Sequence, residues 1–153
     1  MPNASDVVTV ERVIAAPAGA IFDLLADPAR HAEIDGSGMV RDPKPGTVDR
    51  LSLGSRFGMS MKLGFKYSMV SEVIEFDNDR RIAWQTRPPS PRGVKLVGGR
   101  IWRYELDPVE GGTRVRESWD ISQERIKAFV RPARKKTRKA MESTLGRIEE
   151  LVA

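Results

Sequence analysis

The chain has no cysteine, so disulfide cross-links and thiolate chemistry are both excluded, and a reducing compartment is allowed. It has a single histidine, His31, and one imidazole cannot by itself assemble a metal site or a catalytic triad. The polar stretch around it, with Asp35 close by, predicts a surface position for that ring. The glycine-rich stretch "GVKLVGG" lacks both the Gly-Lys-Ser/Thr ending and the strand-to-helix setting in which backbone N–H groups cradle a phosphate, so no nucleotide site is inferred. No metal ligand set and no cofactor is expected. Nor is there a run approaching the roughly 18 apolar residues that a membrane span needs, or a basic segment leading into an apolar one at the N-terminus. These absences predict a soluble cytoplasmic protein without a transmembrane segment.

What is present suits one domain over residues 1–153, because that length at 40% hydrophobic content provides a substantial core but hardly two. The formal charge of +5 permits attraction to anionic partners and selects none of them. Much of it falls in "RIKAFVRPARKKTRK", where Arg125, Lys127, Arg131, Arg134, Lys135, Lys136, Arg138 and Lys139 stand with no acid between them. A solvated helix face is the commoner origin of such a stripe. It lacks interleaved aromatics for base stacking, which makes nucleic acid an unlikely partner, while peripheral contact with an anionic membrane stays open. Nothing separates a monomer from a homodimer.

Periodicity supplies the elements. "DVVTVERVI" alternates as a strand with Val8 and Val10 on one face. Pro17 fits the first turn of a short helix carrying Ile21, Phe22, Leu24 and Leu25, and Pro28 ends that helix and opens another through His31. "DGSG" and "DPKPG" are turn chemistry flanking a short strand. From Ser55, "SRFGMSMKLGF" puts Phe57, Met59, Met61, Leu63 and Phe65 on one face. A turn near Gly64 then pairs Met61 with Tyr67, Met59 with Met69 and Phe57 with Ser71; the parity slip to Ile74 and Phe76 predicts a bulge. "RRIAWQTR" is a further strand, and the Pro- and Gly-rich "PPSPRGVKLVGG" a loop able to flank a mouth. In "GRIWRYELDPVEGGTRVRESWDI" two strands meet at Gly111 and Gly112, with Arg100, Trp102, Tyr104 and Leu106 on one face and Val115, Glu117, Trp119 and Ile121 together on the return; Arg114, Arg116, Ser118 and Asp120 point outward. Placing Tyr104 opposite Val115 sets Trp102 opposite Glu117 with Arg100 diagonal to it. Ser122 to Ala153 reads as the longest helix, kinked at Pro132, with Ile126, Phe129, Val130, Met141, Leu145, Ile148 and Leu151 along one side.

Strand, two short helices, a run of antiparallel strands and one long amphipathic C-terminal helix make an α+β pattern in which the last helix must cover the apolar face of the sheet. Through "VERVIAAPAGAIFDLLADPARHAEI", "LGSRFGM", "VIEFDNDRRIAWQT" and "AMESTLGRIEELV", the chain resembles the START-like helix-grip (SRPBCC) superfamily, polyketide cyclase/dehydrase and lipid-transport type. The resemblance implies a curved antiparallel sheet of about seven strands wrapped round the long helix, an elongated cavity between them, and short helices plugging one end. It implies a small hydrophobic ligand, polyketide-like, aromatic or lipid, with cyclase or dehydrase activity left open. The alternative is a basic-helix interaction module with no catalytic role.

Phe57, Met59, Met61, Tyr67, Met69, Trp102, Tyr104, Val115 and Trp119, with Arg100 and the helix residue Met141, form the candidate lining, although ordinary core packing explains such residues equally well. Glu117 is the candidate catalytic group, because a carboxylate on an apolar face is costly unless paired, hydrogen-bonded or protonated. It could serve as a general acid or base, or anchor a ligand hydroxyl, with Arg100 and Tyr104 as donors. A structural pair with Arg100, or a bulge turning Glu117 to water, are the plainer readings.

Overall fold

A computed structural model describes residues 6–37, 40–43, 49–63, 65–88 and 98–153; the side chains of 41–43, 59–63 and 65–68 lie outside the described residues, as do residues 89–97 of the loop expected to flank a mouth. Seven antiparallel strands form one sheet in the order β1-β7-β6-β5-β4-β3-β2. They are β1 (Val7–Ile14), β2 (Val40–Pro43), β3 (Arg56–Leu63), β4 (Phe65–Asp77), β5 (Arg81–Arg87), β6 (Arg100–Val109) and β7 (Gly112–Asp120). Helices α1 (Ala18–Leu25) and α2 (His31–Ile34) follow β1, and α3 (Lys127–Val130) and α4 (Arg134–Val152) end the chain. The α+β helix-grip architecture is the one expected.

The two short helices are set by their prolines. Pro17, with φ −64°, caps α1, and Pro28 opens a 3-10 turn, Pro28–Arg30, in which the Asp27 carboxylate accepts from the Ala29 N–H at 3.0 Å. All four large apolar residues of α1, Ile21, Phe22, Leu24 and Leu25, are buried, worth roughly 1.5–3 kcal/mol each. Phe22 meets Phe76 of β4 edge to face at 5.4 Å, so α1 closes one end of the sheet.

Strands β3 and β4 pair in the expected register, Met59 opposite Met69 and Met61 opposite Tyr67. The expected bulge is present: Val73 pairs with Trp84 and Glu75 with Ala83, which leaves Ile74 between them and brings Phe76 onto the face of Val73. The opposite face of the sheet carries a ladder of alternating charge, Arg81, Glu105, Arg116 and Glu11, with ion pairs of 2.9 Å (Arg81 to Glu105) and 2.8 Å (Arg116 to Glu11). Exposed pairs of this kind contribute little stability each, but they fix which face meets water. Ser118 and Asp120, expected to point outward, lie on this side but are buried: Ser118 shares a hydrogen bond with Thr9, and Asp120 accepts from the Ser122 N–H.

Helix α4 packs on β1 and β7 and on α1 and α2, burying Met141, Thr144, Leu145 and Ile148. The C-terminal helix begins at Lys127 rather than Ser122, and Pro132 sits in a 3-10 turn, Arg131–Ala133, where its missing N–H interrupts the ladder. Ile126, Phe129 and Leu151, expected on the covered side, are exposed, while Val130 beside Phe129 is buried. Asp6 ties this segment to the start of β1 through Arg131 (3.0 Å) and Lys127 (3.5 Å), and the hydrogen bond from Arg131 holds its carboxyl below the ordinary carboxylate range.

Candidate functional site

Cross-strand rows on the concave face build the site. One row runs Val73, Trp84, Trp102, Trp119, Val8 and the next Phe76, Ile82, Tyr104, Glu117, Val10. Tyr104 therefore stands opposite Glu117, and Trp102 opposite Trp119, two residues away from the expected pairing. The hairpin closes on Val109 and Gly112 around Glu110 and Gly111, the latter at φ +87°, one residue later than the expected pairing requires. Leu106 takes the place opposite Val115.

Glu117 is buried at 2% exposure, and its Oε1 has no hydrogen-bond partner. Burial pushes its pKa up to about 8, a hydrogen bond from Tyr104 pulls the other way, and the nearby Asp35 charge adds to the rise. Glu117 thus holds its proton at neutral pH. The Tyr104 hydroxyl is raised well above its ordinary value, by burial first and by Glu117 second. Two residues along β7 on the same face, the Trp119 indole Nε1 is likewise buried without a partner. Buried polar groups are hydrogen-bonded in the great majority of cases, so two orphans on one face mark a place suited to a polar guest.

Arg100 does not pair with Glu117. Its Nε lies 3.4 Å from Glu124, a buried carboxylate that also accepts from the Gly98 N–H at 2.9 Å and the Arg100 N–H at 2.7 Å. Arg100 belongs instead to the row Phe57, Ser71, Thr86, Arg100, in which Ser71 and Thr86 hydroxyls bond each other at 2.8 Å. Of the remaining candidates, Phe57, Val115, Trp119 and Met141 are buried and Met69 and Trp102 half-buried. The side chains of Met59, Met61 and Tyr67 lie outside the described residues.

His31, expected at the surface, is buried. Its Nε2–H donates to the Leu25 carbonyl at 2.8 Å, and the ring stacks on Trp84 at 5.1 Å and meets Phe57 edge-on at 5.5 Å. Burial lowers its pKa, with the Leu25 bond opposing, so the neutral ring is favoured. Trp84 in turn tilts against Tyr104 at 5.7 Å, giving an aromatic chain from α2 to the Glu117 row. Sequence reasoning missed His31, Trp84, Asp35 and Glu124. For Trp84 the signal was available, since alternation through Ile82 and Thr86 puts it on the concave face.

Among the described residues no cluster of three or more His, Cys, Asp or Glu side chains could hold a metal ion, and no helix is long and apolar enough to cross a membrane. The β2 and β3 side chains of residues 41–43 and 59–63, Met59 and Met61 of the expected lining among them, lie outside the described residues. A depression of about 730 Å3 among the described ones lies elsewhere, walled by Glu75, Arg81, Glu105 and Arg116 of the charge ladder and its neighbours.

A family model described as polyketide cyclase/dehydrase and lipid transport matches residues 5–153. An uncharacterized protein of Mycobacterium tuberculosis, Rv0088, is 36% identical over 112 residues, 70% of this chain and 44% of the relative. The chain thus spans under half the length of the curated relatives it matches. Among solved structures, protein CV1439 from Chromobacterium violaceum superposes with a TM-score of 0.73 at 17% identity, covering 96% of each chain. Ms6760 from Mycobacterium smegmatis gives 0.71 at 18%, covering 99% of this chain and 94% of that one. DynU16, described as a putative protein in the dynemicin biosynthetic locus, gives 0.66 at 15%, covering 95% of this chain and 46% of its own. At these identities the likeness establishes the fold.

Proposed function

Because the chain belongs to the polyketide cyclase/dehydrase and lipid transport family, we propose that it holds a small hydrophobic molecule, polyketide-like, aromatic or lipid, against the concave face of its sheet, with one ligand oxygen set between Glu117 and Trp119. The observation that carries this reading is the pair of buried, unpartnered polar atoms, Glu117 Oε1 and Trp119 Nε1, on one face of β7. A protonated Glu117 and an indole N–H are both donors, so the complementary group is an acceptor: a ketone, an enol or phenol oxygen, or an ester carbonyl. Phe57, Met69, Trp102, Val115 and Met141 supply the apolar surround. The dynemicin-locus description of DynU16 is in keeping with the polyketide-like end of that range.

The same arrangement supports acid catalysis. A carboxyl that keeps its proton to about pH 8 can pass it to a carbonyl oxygen as a ring-closing C–C bond forms, or to a hydroxyl that departs as water. The carboxylate left behind takes back the proton released by the attacking enol or by the C–H bond that breaks as the double bond forms. Tyr104, hydrogen-bonded to the same carboxyl, orients it. Glu117→Gln then abolishes turnover while binding persists; an unchanged rate confines Glu117 to holding the ligand.

Binding is tested with two probes of nearly equal shape, 2-acetylnaphthalene and 2-ethylnaphthalene, titrated by fluorescence. The acetyl compound should bind about tenfold more tightly, the worth of a buried hydrogen bond, and the preference should shrink in Trp119→Phe, where Glu117 is the one donor left. Equal affinity for the two in the unaltered protein, or no binding of either, ends the reading.

A further inference from the structure

The apolar residues of the C-terminal segment are covered only in part: Val130 is buried at its start, but its neighbours are not. Downstream, Met141, Thr144, Leu145 and Ile148 are buried, whereas at the start of the same segment Ile126 is 42% and Phe129 55% exposed. Ile126 precedes α3 in extended conformation and Phe129 lies within it, the Phe129 N–H donating to the Ile126 carbonyl at 3.1 Å. The same segment, Arg125 to Lys139, carries cations with no acid between them. Lys127 and Arg131 are occupied by Asp6, and Arg138 donates to the Thr9 carbonyl. Among the described residues Arg125, Lys135, Lys136 and Lys139 are exposed and have no ion-pair partner. The nearest acid in sequence, Glu124, is buried and committed to Gly98 and Arg100.

We propose that Ile126, Phe129 and the free cations Arg125, Lys135, Lys136 and Lys139 form a docking site for an anionic lipid surface. Two exposed apolar side chains and unpaired Lys and Arg on one short segment match an interfacial segment: the apolar pair enters the boundary between headgroups and acyl chains, and the cations meet lipid phosphates. A second copy of the chain is a poor occupant, since it would bring like charge against like. Nucleic acid would use the charges but leave Ile126 without a role. The patch adjoins the entry to β6, because Arg125 N–H donates to the Gly98 carbonyl at 3.3 Å. Docking therefore brings the membrane close to the Arg100 end of the concave face. The docking surface stands whether or not the interior takes a ligand.

The test is flotation of the whole chain with vesicles of phosphatidylcholine alone and of equimolar phosphatidylcholine and phosphatidylglycerol. Binding is expected to the anionic vesicles only and to weaken as salt rises. Changing Lys135, Lys136 and Lys139 to Gln should weaken partitioning roughly a hundredfold, and Ile126→Ser with Phe129→Ser roughly tenfold, both with unchanged melting temperature. Equal binding to neutral vesicles, no binding to anionic ones, or serine variants that bind as well as the parent overturns the proposal. So does displacement by duplex DNA at equal phosphate concentration, which would make the surface a nucleic-acid site. A large fall in the melting temperature of the serine variant would mean the apolar pair is packed within the chain, and overturns it too.

Discussion

Glu117→Gln should raise folding stability at alkaline pH by on the order of 5 kcal/mol and leave it nearly unchanged near pH 4.5. The folded protein holds the Glu117 proton to about pH 8, against an ordinary value of 4.5, and each unit of difference is worth about 1.4 kcal/mol. The sign follows from which state binds the proton. Between those two values the folded state is protonated and the unfolded state is not, so stability falls as pH rises through the window and is fully present only below it. Glutamine is neutral at every pH, fills the same volume and still accepts from Tyr104, so it removes the loss while keeping the packing. His31 works in the other direction: its lowered pKa gives stability that is complete above about 6.5 and lost as pH falls, and it does so equally in both proteins. The carboxyls of Asp6 and Glu75, held low chiefly by Arg131 and Arg103, also act on the acid side and cancel in the comparison. Urea unfolding of the two proteins across a pH series reads the difference directly. Curves that stay parallel from acid to alkali would mean Glu117 is ionised in the fold, and would remove the protonated donor on which the ligand-binding proposal depends.

How far the sequence foretold this site depends on what a period of two can carry. Alternation placed Val115, Glu117 and Trp119 together on an apolar face, and the parity slip at Ile74 announced the bulge that lets Phe76 join the core. Alternation cannot detect a slip of two residues, because every side chain stays on its own face. That is why Tyr104 was paired with Val115 when its partner is Glu117, and why Arg100 was set beside the wrong carboxylate. Glu124 was invisible for a related reason: it acts through backbone N–H groups of Gly98 and Arg100, residues distant in sequence and brought near by the sheet. His31 follows a 3-10 turn and sits in a single helical turn, too short for any period to show which way a ring points. At the C-terminus the apolar period continues through Ile126 and Phe129 unbroken. Which of these residues are covered, Val130 but not Ile126 or Phe129, is a tertiary fact with no local trace.

Gly36→Ala should destabilise the fold by about 3 kcal/mol or more, through sterics alone. A Cβ on Gly36 would lie 2.2 Å from the Ala140 carbonyl oxygen, 2.7 Å from the Thr144 nitrogen and 2.7 Å from the Ser143 Cβ. Two of those three atoms are backbone of a regular helix, which cannot yield by the ångström required, so the end of α2 must lift from α4. Lifting breaks the bond from Gly36 N–H to Thr144 Oγ1 at 2.9 Å and loosens a contact that holds the α2 end over the sheet. Gly54→Ala is the control: at φ +85° it carries backbone strain, but nothing lies within 4 Å of the new methyl, and about 1 kcal/mol is expected. Asp35 precedes Gly36 and its charge helps to raise Glu117, so a displaced α2 should also move the alkaline limb of the stability curve toward lower pH. Urea midpoints for both glycine variants at one pH, followed by the pH series for Gly36→Ala, separate the two effects. A loss no larger than that of Gly54→Ala would mean α2 can shift on α4 without cost, and the contact would then be no anchor for the Asp35 side of the site.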